Sequence, residues 1–93
     1  MHNPEHAPST KNYTELFSSL SPDEKKVMVV FPLIKKNGEP LGFIENIIRG
    51  DVVNLTQVLD SLVIKGYIVF ENGAYRAPNT DFIEYIKKDI AEW

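Results

Sequence analysis

Apolar residues recur at helical spacing in several stretches of the chain. The clearest stripe has the spacing i, i+3, i+4, i+7 and i+8, which predicts an amphipathic helix over about 54–65; it comprises Leu55, Val58, Leu59, Leu62 and Val63. Similar spacing predicts a short helix at 12–20, a helix from Ser21 that Pro32 should kink or end early, and a helix at about 43–49. A glycine follows the helix from Ser21, the helix at 43–49 and the helix at 54–65, and favours their ending there.

Local signals mark where two of the helices begin. Ser21 offers a serine N-cap, and the next residues place a proline at the first helical position and acids in the first turn. Asn79 or Thr80 is expected to cap a final helix that continues to Trp93. Its apolar positions recur at spacings of four and three and are Phe82, Ile86, Ile90 and Trp93.

A β-hairpin is predicted after the amphipathic helix. Two β-rich segments, 67–70 and 74–77, flank an Asn72-Gly73 pair, which favours a two-residue type I′ turn. Centring the turn on this pair sets Glu71 opposite Ala74, Phe70 opposite Tyr75 and Val69 opposite Arg76. That register predicts a core face, formed by Ile68, Phe70, Tyr75 and Ala77, and an opposite face with Val69 and Arg76.

Composition fits a single domain. The chain has 93 residues, 43% of them hydrophobic and 25% charged, and we expect a flexible tail at 1–11 followed by one domain at 12–93. No apolar run approaches the ~18 residues of a membrane span. Because there is no cysteine, disulfides and thiolate zinc sites are excluded, and a cytoplasmic location is expected.

No catalytic site is predicted. The only two histidines, His2 and His6, lie in the tail, so a Ser-His-Asp or Cys-His arrangement cannot be assembled inside the domain. The sequence also lacks a glycine-rich phosphate-binding loop. We therefore expect no enzymatic activity, no cofactor and no metal.

The predicted order of helix, link, helix, turn, helix and hairpin is typical of a winged helix-turn-helix domain. The sequence over about 21–90 resembles the MarR-like and archaeal-ATPase-associated winged-helix families; the matching residues are Leu59, Leu62, Lys65, Gly66, Ile68 and Tyr75. The resemblance implies an α+β, mainly helical fold. It would have a three-helix core and a β-hairpin wing, with extra N- and C-terminal helices.

The resemblance also implies binding to double-stranded DNA, as a small, dimeric transcriptional regulator. It places residues that face DNA at the start and along the outer side of the third core helix. The candidates are Asn54, Thr56, Gln57 and Ser61 for the bases, and Lys65, Arg76, Arg49 and Lys35 for the backbone. Short polar residues equally cover a solvated helix face, and Asn54 could serve only as an N-cap.

Charge favours a second interpretation. The chain carries a net charge of −3, and over 54–76 two cations cancel two anions, whereas DNA binders usually present a basic surface. The alternative is a protein-interaction module, an adaptor or inhibitor, with a dimer or partner surface drawn from Met28, Val29, Ile64 and Trp93. For the first core helix, we favour burial of its second apolar side by the N- and C-terminal helices. Ile64 and Trp93 remain candidates for the partner surface.

Overall fold

The computed structural model describes residues 9–91, with side chains for 13–90. Along the chain lie α1 (Ser9–Ser18), α2 (Pro22–Met28), a 3-10 turn (Phe31–Leu33), α3 (Leu41–Ile48), α4 (Leu55–Lys65), β1 (Val69–Glu71), β2 (Ala74–Arg76), α5 (Thr80–Tyr85) and a π-helical segment (Ile86–Ala91). The protein is mainly helical with one small antiparallel sheet, an α+β fold as predicted. Within 9–91, no helix is long and apolar enough to cross a bilayer.

The N-terminal boundary differs from the prediction. Helix α1 begins at Ser9, three residues before the boundary predicted at residue 12. Its apolar side packs onto the domain through Phe17, which is buried, as is Leu20 just after the helix. The rest of the predicted tail, residues 1–8, and Trp93 lie outside the described residues.

Helix α2 begins at the predicted cap. The Ser21 hydroxyl accepts a hydrogen bond from the Glu24 backbone N–H, and the Glu24 carboxylate accepts one from the Ser21 N–H, at 3.2 and 2.9 Å. The helix ends at Met28, and a 3-10 turn containing Pro32 follows. Pro32 has no N–H to donate back along an α-helix, so the prediction that it ends the helix early is confirmed.

The core lies between α2, α3, α4 and the flanking helices. Seven side chains are almost completely buried: Val27, Met28, Ile44, Leu59, Leu62, Ile68 and Ile86. Met28, predicted as part of a partner surface, is therefore not accessible; that prediction is wrong. Val29 is half-buried and packs against the same core. The second apolar side of α2 is thus covered within the chain.

The connection between α3 and α4 is a tight turn. Arg49 takes a left-handed conformation at φ 52°, and Gly50 follows at φ 89°. Asn54 occupies the N-cap position of α4, but its side chain makes no capping hydrogen bond. The alternative that Asn54 serves as a side-chain cap is therefore wrong, which leaves its amide exposed.

The hairpin has the predicted register. Val69 pairs with Arg76, Phe70 with Tyr75 and Glu71 with Ala74. The turn residues Asn72 and Gly73 have φ 54° and 78°, as a type I′ turn requires. The Phe70 and Tyr75 rings are in contact, tilted by 42° with centroids 4.5 Å apart.

The predicted core face of the hairpin is correct only in part. Tyr75 is buried, whereas its cross-strand neighbour Phe70 remains 52% exposed. At the other edge of β2, the Glu39 backbone N–H and C=O bond the Tyr75 backbone at 3.0 and 2.8 Å. The close approach of this segment is possible because Gly38 has no side chain.

The C-terminal helix changes character along its length. Asn79 caps α5 by accepting a hydrogen bond from the Phe82 N–H at 3.1 Å, as predicted. From Ile86 the backbone is π-helical, and its wider turn shifts the predicted spacing. Ile86 is buried and Ile90 is exposed, so the predicted apolar stripe does not continue.

Candidate interaction surface on α4

One side of α4 faces away from the core and carries both apolar and polar residues. Leu59 and Leu62 point inward and are fully buried. On the opposite side, α4 exposes Gln57, Asp60 and Ile64. These three residues and Val53, which is exposed in the turn before the helix, are here called the outer face of α4. Val53 is 89% exposed and Ile64 is 85% exposed, far more than the other large apolar side chains of the described chain.

A polar cluster anchors the inner flank of α4 to α2. The Glu24 carboxylate accepts a hydrogen bond from the Ser61 hydroxyl at 2.7 Å and two from the Lys65 ammonium at 2.8 and 3.0 Å. It also accepts the Ser21 N–H at the start of α2. One carboxylate therefore closes the cap of α2 and ties that cap to α4.

The environment of Glu24 keeps it ionised. Only 4% of the residue is exposed, and burial by itself would raise the pKa of its carboxyl. Hydrogen bonds from Lys65, the Ser21 backbone and Ser61, together with the Lys65 charge, outweigh burial and lower the pKa to about 2. The carboxylate is charged and paired throughout the neutral range.

This cluster changes the expected role of two DNA-facing candidates. The resemblance places Ser61 and Lys65 free for DNA, but both side chains bond to Glu24 instead. Moving Lys65 to a phosphate would leave the buried Glu24 carboxylate without its cation, which disfavours that movement. We conclude that Lys65 is committed to the fold.

The other candidate cations do not converge on α4. Arg76 pairs with Glu71 within the hairpin at 2.9 Å. Lys35 lines a cleft of about 410 Å³, together with Arg76, between the 3-10 turn and α5, and no residue of α4 lines it. The Arg49 side chain bonds back to the Asn46 carbonyl at 2.9 Å. A continuous basic stripe along α4 is not formed.

Acidic residues outnumber basic ones from α3 to Ile64, and the Lys26 ammonium reaches this region by donating to the Asp51 carbonyl oxygen at 3.3 Å. Between 41 and 64 the charged residues are Glu45, Arg49, Asp51 and Asp60, all exposed, three acidic and one basic. Glu45 lines a shallow cleft of about 350 Å³ with Val53. Burial and then the Asp60 charge raise the pKa of the Tyr75 hydroxyl. Negative charge thus reaches from α4 to the hairpin.

Three of the base-reading candidates do lie in the open. Asn54, Thr56 and Gln57 are exposed at the start of α4 and make no side-chain hydrogen bond within the described chain. Their amide and hydroxyl groups can form hydrogen bonds with a polar partner of any kind. Of the predicted partner surface, Ile64 is accessible as expected.

Sequence reasoning missed the role of Glu24. Its position was explained by the helix dipole alone, as one of the acids in the first turn of α2. The signal was nevertheless present, because a serine followed three residues later by glutamate is the pattern of a capping box. The additional bonds to α4 depend on tertiary packing and have no local signal.

Comparison with known proteins identifies no relative of the chain. No protein-family model matches the chain, and no curated protein or solved structure matches it.

Within residues 9–91, no group of three or more histidine, aspartate or glutamate side chains could hold a metal ion.

Proposed function

We propose that the chain is a winged-helix domain that binds another protein through the outer face of α4. The element order supports the winged-helix assignment: three consecutive helices, α2, α3 and α4, are followed directly by a two-stranded hairpin. The bridge from Glu39 to Tyr75 adds the short third strand segment that lies between the first two helices in such domains.

The exposure of Val53 and Ile64 carries the proposal of protein binding. Fully burying a side chain of either type is worth about 1.5–3 kcal/mol, and an interface core is where such residues gain that energy. Asp60 lies between them in sequence and brings negative charge to the same face. A phosphate backbone is repelled by this charge, whereas a protein surface can complement it.

DNA binding is the second candidate, and it rests on Asn54, Thr56 and Gln57. These side chains are exposed where the third core helix of a winged-helix domain meets the major groove, and they can hydrogen-bond base edges. Against it stands the engagement of two of the four candidate cations, since Lys65 and Arg76 are both in ion pairs. Phosphate contacts supply much of the affinity of a typical DNA binder.

A photo-crosslinking experiment separates the two candidates. A photoreactive phenylalanine analogue is placed at position 64 or, as the control, at Asn37, an exposed loop residue. Each variant is irradiated with an extract of its source cells, with and without a random pool of DNA duplexes at low salt. We expect protein adducts from position 64 that disappear with Val53→Asp, and none from position 37.

The DNA arm of the experiment gives the contrary outcome. Selective retention of particular duplexes, lost with Gln57→Ala and indifferent to Ile64→Asp, would replace the protein-binding proposal by the DNA-binding one. Asn37→Asp serves as the matched control for the added negative charge. Adducts of equal yield from positions 64 and 37 would also contradict the proposal.

A further inference from the structure

The cleft between the 3-10 turn, the hairpin and α5 has an apolar lining. Its volume is about 410 Å³, which is enough to bury a ligand group. The apolar residues that line it include Phe31, which is buried, and the half-buried Ile34, Ala77 and Ile83. Because these residues come from three separate parts of the chain, the fold itself builds the cleft. We call it the hairpin cleft.

The hairpin cleft is also cationic, in a chain whose net charge is −3. Lys35, Lys36 and Arg76 line it, against one acidic residue, Glu84. Both lysines are exposed, and within residues 9–91 neither ammonium group takes part in an ion pair. The cleft therefore offers positive charge beside an apolar surface.

Arg76 is engaged with Glu71, but this ion pair lies at the surface. The Arg76 Nη2 and Glu71 Oε1 atoms are 2.9 Å apart, and the two side chains are 35% and 58% exposed. Exposed ion pairs contribute little to stability, so Arg76 can exchange Glu71 for the carboxylate of a ligand. Lys65 differs, because its partner Glu24 is buried.

A second cleft adjoins the hairpin cleft at these cations. Its volume is about 500 Å³, and Asn37 and Asn72 help to line it. The two clefts share Lys36 and Arg76, so together they form one groove that leads from α5 to the turn of the hairpin. A groove of this length suits an extended ligand, with the shared cations near its middle.

We propose that this groove binds an acidic, extended peptide segment of another protein. One apolar side chain of the peptide enters the hairpin cleft and is buried against Phe31 and Ile83. Carboxylates on either side of it accept charge-assisted hydrogen bonds from Lys35, Lys36 and Arg76. No residue of α4 lines either cleft, so this surface is separate from the outer face of α4 and goes beyond the proposed function.

Nucleic acid fits the groove less well than an acidic peptide does. Phe31 is only 2% exposed, so its ring offers no open face on which a base could stack. Glu84 lines one cleft and Glu71 the other, and both would repel a continuous line of phosphates. A peptide can carry uncharged residues at those two points and still place its carboxylates at the cations.

An array of synthetic heptapeptides tests the chemistry of the ligand. Each peptide has glutamate or aspartate around a central leucine, isoleucine, valine, methionine or phenylalanine, and the labelled full chain is applied at low salt. Two control sets replace the central residue by serine or the acidic residues by lysine. We expect some acidic–apolar peptides to bind at least about tenfold more strongly than either of their control peptides. Changing the peptide tests the apolar lining without disturbing the core.

Charge variants of the full chain then test the site in solution, with the strongest peptide followed by fluorescence anisotropy. Lys36→Glu should weaken binding at least about fivefold, because Lys36 lines both clefts. Lys26→Glu is the matched control, since Lys26 is an exposed lysine that lines neither cleft, and it should leave binding unchanged. Glu84→Gln should tighten binding about twofold by removing the negative charge from the hairpin cleft.

Amide chemical shifts measured during the titration locate the peptide. The signals of Ala77, Thr80 and Ile83 should move, and those of Gln57 and Ile64 should stay in place. Movement confined to Gln57 and Ile64 would overturn this inference. A chain that binds the peptide in the groove but gives no protein adducts from position 64 would overturn only the proposed function.

Three further results would overturn the inference. The first is an array on which acidic–apolar peptides bind no better than their controls. The second is an equal loss of binding for Lys36→Glu and Lys26→Glu, which would show that only the net charge of the chain matters. The third is displacement of the bound peptide by random DNA duplexes at an equal concentration of charge, which would make the groove a phosphate-binding surface.

Discussion

The buried carboxylate of Glu24 gives the protein a stability that depends on pH. In the folded chain its pKa is lowered from 4.5 to about 2. A carboxyl group with a lowered folded-state pKa binds fewer protons when folded than when unfolded. Its contribution to stability is therefore fully present above pH 4.5 and is lost as the pH falls through about 2.

The magnitude follows from the size of the pKa difference. Each pKa unit corresponds to 1.36 kcal/mol, so lowering the pKa from 4.5 to about 2 contributes about 3 kcal/mol to the free energy of unfolding at neutral pH. Glu24 is buried, but the Lys65 side chain that pairs with it is 46% exposed, so solvent screens part of the interaction and about 3 kcal/mol is the largest contribution expected. For a small domain, whose total stability is about 5–15 kcal/mol, this is a large share.

Glu24→Gln is the matching perturbation, because an amide has nearly the shape of a protonated carboxyl without its charge. Urea unfolding followed by circular dichroism would be measured for both chains at several pH values from 7 to 2. We expect the variant to be less stable by up to about 3 kcal/mol at pH 7, and the difference to vanish near pH 2. Glu84→Gln is the control, since Glu84 is exposed and makes no ion pair within the described chain.

Two results would refute this reasoning. A Glu24→Gln variant as stable as the original at pH 7 would mean that the ion pair and hydrogen bonds do no more than offset desolvation. A loss of stability that stayed constant from pH 7 to pH 2 would mean that packing, and not charge, is responsible.

Further predictions concern the hairpin and its supports. Gly66→Ala should lower the free energy of unfolding by roughly 1 kcal/mol, because its φ of 87° strains an alanine although open space surrounds it. Gly38→Ala should lower it by at least about 1 kcal/mol more, because the added Cβ would lie 2.8 Å from the Tyr75 carbonyl oxygen. Equal losses of stability for the two variants in urea unfolding would contradict the close approach of Gly38 to Tyr75. Phe70→Ala should cost about 1 kcal/mol, the value of its ring contact, whereas Ile68→Ala should cost about 3 kcal/mol by opening a core cavity. A loss of stability for Phe70→Ala larger than that for Ile68→Ala would show that Phe70 is buried.

Much of the fold was predictable because its signals are local. The Asn72-Gly73 pair fixes both the turn type and the strand register, since few residues adopt positive φ at two consecutive positions. Likewise, the cap of α2 and the effect of Pro32 follow from groups only a few residues apart. Such features need no knowledge of what packs against them.

The parts that escaped prediction depend on tertiary contacts. Alternation alone placed Phe70 and Tyr75 on one face, but only tertiary packing decides that Tyr75 joins the core while Phe70 stays 52% exposed. The π-helical segment after Tyr85 likewise broke a regular apolar spacing that sequence reasoning extended to the end of the chain. The pairing of Ser61 and Lys65 with Glu24 spans about forty residues of sequence, and no periodicity encodes it.

The same carboxylate that stabilises the fold also shapes what α4 can bind. By holding Lys65 on the inner flank, Glu24 removes the one cation of α4 from the reach of a ligand at the outer face. Asp60 is then the unpaired charge left on that helix. Freeing Lys65 would not by itself create a DNA-binding surface, because it would strand a buried carboxylate and leave Asp60 in place. The outer face is therefore suited to a partner that offers apolar side chains and a hydrogen-bond donor.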